Sequence, residues 1–398
     1  MTPAAIGSLI LLAAMAGGGD AGNLCTLCHP DVRVAFDTSV HHREEIACVS
    51  CHGGDPTAAT VAGAHRGSFK GAFRREEIPA LCASCHADAA VMRPYNLPTD
   101  QLALYETSGH GRGLARGDGN VAVCTDCHGV HDILSPQNPS SPTHAQNIAA
   151  TCGKCHADAT LAARYGWAED PQAAWAAGVH GRAVIESGNA SAPTCARCHG
   201  SHGAAPPGVG DVEKICGQCH LTTRAHFLDG PHHGAMQAAG LGECASCHGS
   251  HAVERAGIER LDTVCLECHA EGSDQAALAS RMKTLFTAAE EDLVLADDRV
   301  KQAAAIPIYV EDFEARLAEA RTILRESLPV MHALDQERVA AITERSRAIA
   351  QQVQSEVASK LGEKFWRRMG LIIFWFYLIL TLAILVRLRA RAARESRA

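Results

Sequence analysis

Eighteen cysteines and 22 histidines stand in a chain of 398 residues, and the two residue types are not independently placed. Every cysteine belongs to a C-x-x-C pair, and a histidine follows each pair at once. The pairs are Cys25 and Cys28, Cys48 and Cys51, Cys82 and Cys85, Cys124 and Cys127, Cys152 and Cys155, Cys195 and Cys198, Cys216 and Cys219, Cys244 and Cys247, and Cys265 and Cys268. The histidines are His29, His52, His86, His128, His156, His199, His220, His248 and His269. One C-x-x-C suits a zinc ribbon or a dithiol redox site as readily as haem attachment. Nine pairs that all continue to histidine are far more selective. Thiols at i and i+3 lie on one helical turn, where they can add to the two vinyl groups of a porphyrin. The histidine at i+4 falls on the same face, with a ring nitrogen for the iron. Zinc has no use for a histidine immediately after every pair, and a disulfide framework leaves the histidines unexplained. The residues imply nine covalent haem c groups.

The elements that must position these sites repeat. Four sites read C-x-x-C-H-G: "CVSCHGG", "CTDCHGVH", "CARCHGSH" and "CASCHGSH". Four others carry a large aliphatic residue four positions before their first cysteine, namely Ile78, Ile148, Val212 and Leu261, and three of these continue H-A. On a short helix that aliphatic residue shares the haem-facing side and can pack on the porphyrin. The opening site, "CTLCHPDV", reads as an unpaired site of the second kind. Residues 21–272 then form one domain, a half-repeat followed by four two-haem repeats. Large aliphatic side chains are too sparse over this stretch to build an ordinary core, so something else should fill its interior.

Each repeat also carries histidines outside the motif. His41 with His42, His110, His180, and His232 with His233 precede the C-x-x-C-H-G sites; His65, His131, His202 and His251 follow them. Two extra histidines per two haems is the number that bis-histidine iron requires. His131, His202 and His251 lie three residues beyond their own motif histidine, too close to reach the opposite face of the same haem, so each should ligate a neighbour. His41 and His42 could serve two different haems and so cover the ninth iron, with His232 chosen over His233 in the last repeat. His144 and His226 are then surplus, and lone His332 reads as a helix-surface residue. Only Met92 and Met236 lie between Cys25 and His269. Bis-histidine ligation without methionine favours low reduction potentials.

Paired C-x-x-C-H sites with G-H-G and H-G-x-H histidines resemble the multihaem c-type cytochromes, above all class III cytochromes c and doubled C-x-x-C-H proteins. The resemblance covers residues 25–269. It implies periplasmic haem attachment, a mostly α, loop-rich fold with little sheet wrapped round closely packed haems, and electron transfer without a catalytic residue. The Lys-ligated C-x-x-C-K site of pentahaem nitrite reductases is absent. The alternative is a multihaem oxidoreductase acting on a small nitrogen or sulfur compound at a five-coordinate haem.

Beyond His269 the composition changes. Leu278, Met282, Leu285, Ala289, Leu293, Ala296, Val300 and Ala303 step by threes and fours, as do Phe313, Leu317, Ala320 and Leu324, then Ile342, Ser346, Ile349, Val353, Val357 and Leu361. The spacing predicts a long helical hairpin or stalk over 273–365, broken near Pro307 and Pro329. It could space the haem domain from a membrane or carry an oligomer contact. Met369 to Val386 has no charge, with Arg367 and Arg368 before it and Arg387, Arg389, Arg391, Arg394 and Arg397 after it. This reads as one transmembrane helix over 366–388, with a basic cytoplasmic tail at 389–398. Residues 6–16, "IGSLILLAAMA", end in a small-x-small pattern and read as part of a signal peptide over 1–20. A net charge of −8 without a basic patch excludes nucleic acid.

The expected protein is a periplasmic cytochrome on a single-pass anchor in a bacterial inner membrane. It would relay electrons between a quinol-linked membrane donor and periplasmic acceptors. The span lacks histidine and cannot hold haem b by bis-histidine ligation. A separate quinol-oxidising cytochrome b and other periplasmic cytochromes are therefore the expected partners. Protease added outside spheroplasts should digest the haem domain and spare a C-terminal tag; loss of the tag would reverse this topology.

Overall fold

The computed structural model describes residues 23–167, 170–204, 213–255, 257–305 and 308–396. The expected signal peptide, Val212 and Pro307 lie outside them. The described residues form helices, turns and loops, with no strand among them. They divide into two compact units, the first running to Val212 and adding His248–Arg255, the second comprising Glu213–Cys247 and Ala256–Ala398.

In the first unit the two kinds of motif make two kinds of helix. Cys48–His52, Cys124–His128 and Cys195–His199 are five residues each, beginning on the first cysteine and ending on the histidine. The next residue is Gly53, Gly129 or Gly200, at φ of 66°, 84° and 85°. Only glycine takes that conformation at no steric cost, so the glycine of C-x-x-C-H-G turns the chain sharply away from the ligand. The second kind, Ile78–His86 and Ile148–His156, starts four residues earlier, on the aliphatic residue, and runs for nine.

The G-H-G histidines ride on a third set of helices. Gly109–Ala115 follows Gln101–Thr107, and Val179–Ile185 follows Pro171–Ala177. A Cβ on Gly111 would overlap the Tyr105 carbonyl oxygen, and one on Gly181 that of Trp175. The glycine after the histidine therefore allows two helices to meet backbone to backbone. Successive repeats are then stitched by one recurring hydrogen bond. The Val40 N–H donates to the Ile133 carbonyl at 2.8 Å, Gly109 to Ala204 at 3.0 Å, and Val179 to Val253 at 2.8 Å. Each acceptor lies two residues beyond His131, His202 or His251. The apolar cluster here is small, with Ala149, Trp175 and Val184 at its centre.

The second unit contains three long helices: α1 (Asp274–Ala304), α2 (Glu311–Val330) and α3 (Gln336–Glu395). The expected hairpin is thus a three-helix bundle. Its buried residues step 4-3-4-3: Met282, Phe286, Ala289, Leu293, Ala296, Val300 and Ala303 on α1; Phe313, Leu317, Ala320, Leu324 and Ser327 on α2; Val339, Thr343, Ser346, Ala350, Val353 and Val357 on α3. That is the heptad period of a left-handed bundle. Two seams differ from the sequence expectation. Phe286 is buried where Leu285 is partly so, and Thr343 and Ala350 replace Ile342 and Ile349 in the core. On α1 it is the larger Phe286 that fills the seam; on α3 hydrophobicity alone favours the larger neighbour, whereas close helix approach favours the smaller. Ser346 shows why: its Oγ donates to the Ala320 carbonyl at 2.8 Å, joining α3 to α2. Asp292 with Arg347 at 2.9 Å, Asp297 with Arg321 at 2.5 Å, and Glu356 with Arg316 at 2.8 Å flank the three seams.

The bundle core also takes in Ile258 and Leu261. Leu261 was expected on a porphyrin, yet it packs with the bundle because the last motif segment lies directly against α1. Pro329 falls in the last turn of α2 instead of ending it. Beyond the bundle, α3 continues without a break through Met369–Val386, whose large apolar side chains from Leu371 onward are all exposed. By length and composition it can cross a membrane. Leu317→Ala should lower the stability of the bundle by about 3 kcal/mol through its cavity. Leu328→Ala, at an exposed position, should change it by less than about 0.5 kcal/mol. Denaturant titration of the helical signal checks both.

Candidate haem-binding site

All eighteen cysteines are free thiols. Among the described residues no three of the His, Cys, Asp and Glu side chains gather as a metal-ion site. What gathers instead is pairs of imidazoles. Seven motif histidines face, within their own unit, a histidine from outside the motifs. His29 faces His65 with ring centroids 6.4 Å apart, His52 faces His131 at 6.1 Å, His128 faces His202 at 6.1 Å, and His199 faces His251 at 6.0 Å. His86 faces His41 at 6.1 Å, His156 faces His110 at 6.0 Å, and His269 faces His232 at 6.0 Å.

The spacing is chemically informative. Metal–imidazole bonds are about 2 Å long, and a ring nitrogen lies about 1.1 Å from its ring centre, so two imidazoles across one iron have centroids about 6 Å apart. Rings in direct stacking contact would be closer. The interplanar angles run from 11° to 56°, which axial ligation permits because each ring can rotate about its metal bond. The residues fit the group. Its chemistry, when bound, is one-electron exchange between two iron oxidation states.

Burial pushes the pKa of His41, His86, His110, His128, His131, His156, His202 and His232 below the ordinary histidine value, and for most of them the charge of a neighbouring histidine adds to this. A neutral imidazole is the form that ligates. Aromatic rings steady several ligands: Phe69 stacks on His65 at 4.1 Å, Trp167 on His156 at 4.8 Å, and Phe73 lies 5.4 Å from His52. No sequence signal marks these three, since nothing in their spacing from the motifs repeats.

The pairing has a rule. The motif histidines of C-x-x-C-H-G sites face a histidine of the following repeat, so the last histidine of "CTDCHGVH" faces His52 and not its own motif histidine. Motif histidines of the other kind face one from upstream in the same repeat. The opening site follows the first rule through His65. His42 turns elsewhere, with its ring edge-on to Phe36 at 5.4 Å and its Nε2 4.0 Å from Asp37. His180 lies on Val179–Ile185, the counterpart of the His110 helix. His144 accepts from the Gln146 N–H at 3.4 Å, and His233 lies edge-on to Phe227. The Nδ1 atoms of His226 and His233 are buried without a hydrogen bond.

The thiols connect the sites. Cys82 is hydrogen-bonded to Cys124, Cys152 to Cys195, and Cys216 to Cys244. The bonds from Cys82 and Cys152 pull the Cys124 and Cys195 thiols down to about 7. Cys51 lies within electrostatic reach of Cys85, Cys127 of Cys155, and Cys247 of Cys268. At the start, the Asn23 side-chain amide donates to Cys48 Sγ at 3.5 Å while its oxygen accepts from the Cys25 N–H. Within each unit the attachment points of consecutive haems therefore adjoin in chain order.

The comparisons agree with this site. The doubled CXXCH motif family profile matches residues 40–91, which hold the sites at Cys48 and Cys82. The multiheme cytochrome MtrA of Shewanella baltica (strain OS185) is 27% identical over 142 residues, covering 34% of this chain and 32% of that protein. The chain thus matches about a third of the length of that curated relative. No solved structure matches the chain. Over these stretches the chain is similar to doubled C-x-x-C-H proteins and to a multihaem cytochrome, which supports haem c binding at its C-x-x-C-H motifs.

Because His131 faces His52, His131→Met should raise the potential of one haem and add one Met–iron charge-transfer band, with haem content unchanged. His42→Met should do neither. Potentiometric titration followed optically distinguishes them.

Proposed function

We propose that this is a membrane-anchored periplasmic nonahaem cytochrome that relays electrons between a quinol-linked membrane donor and periplasmic acceptors. The observation that carries the reading is the succession of adjoining thiols in chain order, combined with imidazole pairs at the spacing of closed, six-coordinate iron. Closed axial positions suit a carrier, since catalysis on a small substrate needs a vacant or displaceable position. Adjoining attachment points bring porphyrin edges together, which suits rapid transfer from haem to haem.

The anchor constrains the donor. The turn Met331–Ala333 precedes α3, and from Gln336 to Met369 that helix covers about 50 Å at 1.5 Å per residue. Haems of the second unit therefore need a partner whose own redox group rises from the bilayer, such as a membrane cytochrome b with an extramembrane haem domain. Other periplasmic cytochromes serve as acceptors, and the bundle surface is open to self-association.

Purified protein should carry nine haems by intact mass and pyridine haemochrome assay. It should be low-spin when oxidised, bind little carbon monoxide when reduced, and exchange electrons with small soluble cytochromes. Fewer than eight haems, or a stoichiometric high-spin signal with turnover of nitrite or hydroxylamine, would defeat the carrier reading.

A further inference from the structure

Among the aromatic rings that lie beside the paired histidines of the first unit, that of Trp167 is itself stacked on a further ring. Its centroid is 4.8 Å from that of His156 with the planes 23° apart, and 5.3 Å from that of Tyr165 at 22°. Both are the spacing of offset stacking. The local sequence builds this arrangement. Helix Ala159–Tyr165 ends at Gly166, whose φ of 71° is left-handed, and the Trp167 N–H turns back to the Ala162 carbonyl at 3.0 Å. Two rings separated by one left-handed glycine are thereby brought into contact.

The stack is tied at its outer end. The Tyr165 hydroxyl donates to Asp118 Oδ2 at 2.6 Å, and Asp118 Oδ1 accepts from the Asn120 N–H at 3.0 Å. Asp118 lies just beyond Gly109–Ala115, the helix that carries His110, and its own N–H donates to the Gly113 carbonyl of that helix at 3.1 Å. His110 is the imidazole that faces His156. A closed circuit therefore joins the two rings of one pair, running from His156 through Trp167, Tyr165 and Asp118 to the helix of His110. At His52 the ring nitrogen Nδ1 is 2.9 Å from the Gly71 carbonyl oxygen, whereas no hydrogen bond among the described residues holds the His156 ring. Stacking thus takes at His156 the orienting role that a second-sphere hydrogen bond has at His52. At 56°, His110 and His156 are also the most twisted of the seven pairs.

We propose that Trp167 is a positioning residue that fixes the angle between the His110 and His156 rings and so sets the electronic state of the haem on Cys152 and Cys155. The proposal rests on the bis-histidine carrier reading and deepens it by picking out one haem. The angle between two axial imidazole planes decides how far the iron orbitals that interact with them are split. Parallel rings split them widely. Crossed rings leave them closer in energy, which makes the ferric g-tensor more anisotropic. Trp167 also covers the His156 ring with apolar surface. Keeping water from a ligand disfavours the more charged ferric state and raises the potential. Of the seven described pairs, this one should therefore give the low-spin component with the largest g value.

The test is ferric EPR and optical redox titration of the full-length protein carrying His110→Met, Trp167→Ala, Trp167→Phe, Tyr165→Phe or Phe69→Leu. His110→Met should remove the low-spin component of largest g value, which assigns it to this haem. Trp167→Ala should keep the wild-type haem content and low spin, move that one component to smaller g and lower one potential. Trp167→Phe should restore the wild-type component. Tyr165→Phe, which keeps both rings but loses the tie to Asp118, should shift it part of the way. Phe69→Leu, beside His65, should leave it in place. Persistence of the component in His110→Met, an unmoved component in Trp167→Ala, or the same shift in Phe69→Leu would overturn the assignment. If Trp167→Ala loses haem or fails to fold, Tyr165→Phe decides: an unmoved component there means that the circuit does not set the angle. High-spin iron in the wild-type protein counts against the bis-histidine reading itself, whichever way these variants behave.

Discussion

Pairs of imidazoles about 6 Å apart, drawn from different stretches of chain, are the contact on which the rest of this structure depends. The first unit has few large buried side chains, and its apolar cluster around Trp175 is small. Chain entropy costs of roughly 1–2 kcal/mol per residue cannot be offset by so little apolar burial. Haems at the C-x-x-C-H sites would fill the interior that the side chains leave. His52 with His131 and His128 with His202 each bridge consecutive repeats, so an iron held between them would also be a cross-link.

The backbone is shaped to let those bonds form. Positive φ at Gly53, Gly129 and Gly200 ends each motif helix directly after the ligand, and the small faces of Gly111 and Gly181 let a second helix approach from the other side. The recurring hydrogen bond from Val40, Gly109 and Val179 then fixes where the next repeat's histidine stands. The same interlock brings cysteines of consecutive sites into contact. Stability and the succession of adjoining thiols are therefore consequences of one arrangement, in which the pairing of histidines between repeats also sets how closely the attachment points lie.

The second unit solves its stability in a different way. Its heptad seams of Phe, Leu, Val and small residues bury an ordinary hydrophobic core, closed by Ser346 and by half-buried ion pairs that contribute modestly. Because Ile258 and Leu261 enter that core, the last motif segment is anchored by apolar packing as well as by ligation. α3 carries the same helix from this core into an apolar, exposed stretch, which makes the anchor and the bundle one mechanical piece.

Much of the site was legible in the sequence, because covalent haem attachment demands cysteines at i and i+3 and a ligand at i+4, a local constraint that leaves a local mark. The positions of the distal histidines before and after each motif were also visible, since repetition exposed them. Which of them meets which motif was not, because that is set by how repeats interlock; His42 against Phe36 and His41 against His86 differ by one residue on one short helix. The bundle register was half legible, as the spacing admits either of two adjacent residues until packing selects one, Phe286 over Leu285 on α1 and Ala350 over Ile349 on α3. The seat of Leu261 in the bundle core and the half-burial of His332 lay beyond sequence reasoning. Period and motif determine what a residue can do within one turn of helix, whereas the partner several helices further along the chain is decided only by the packed backbone that brings the two together.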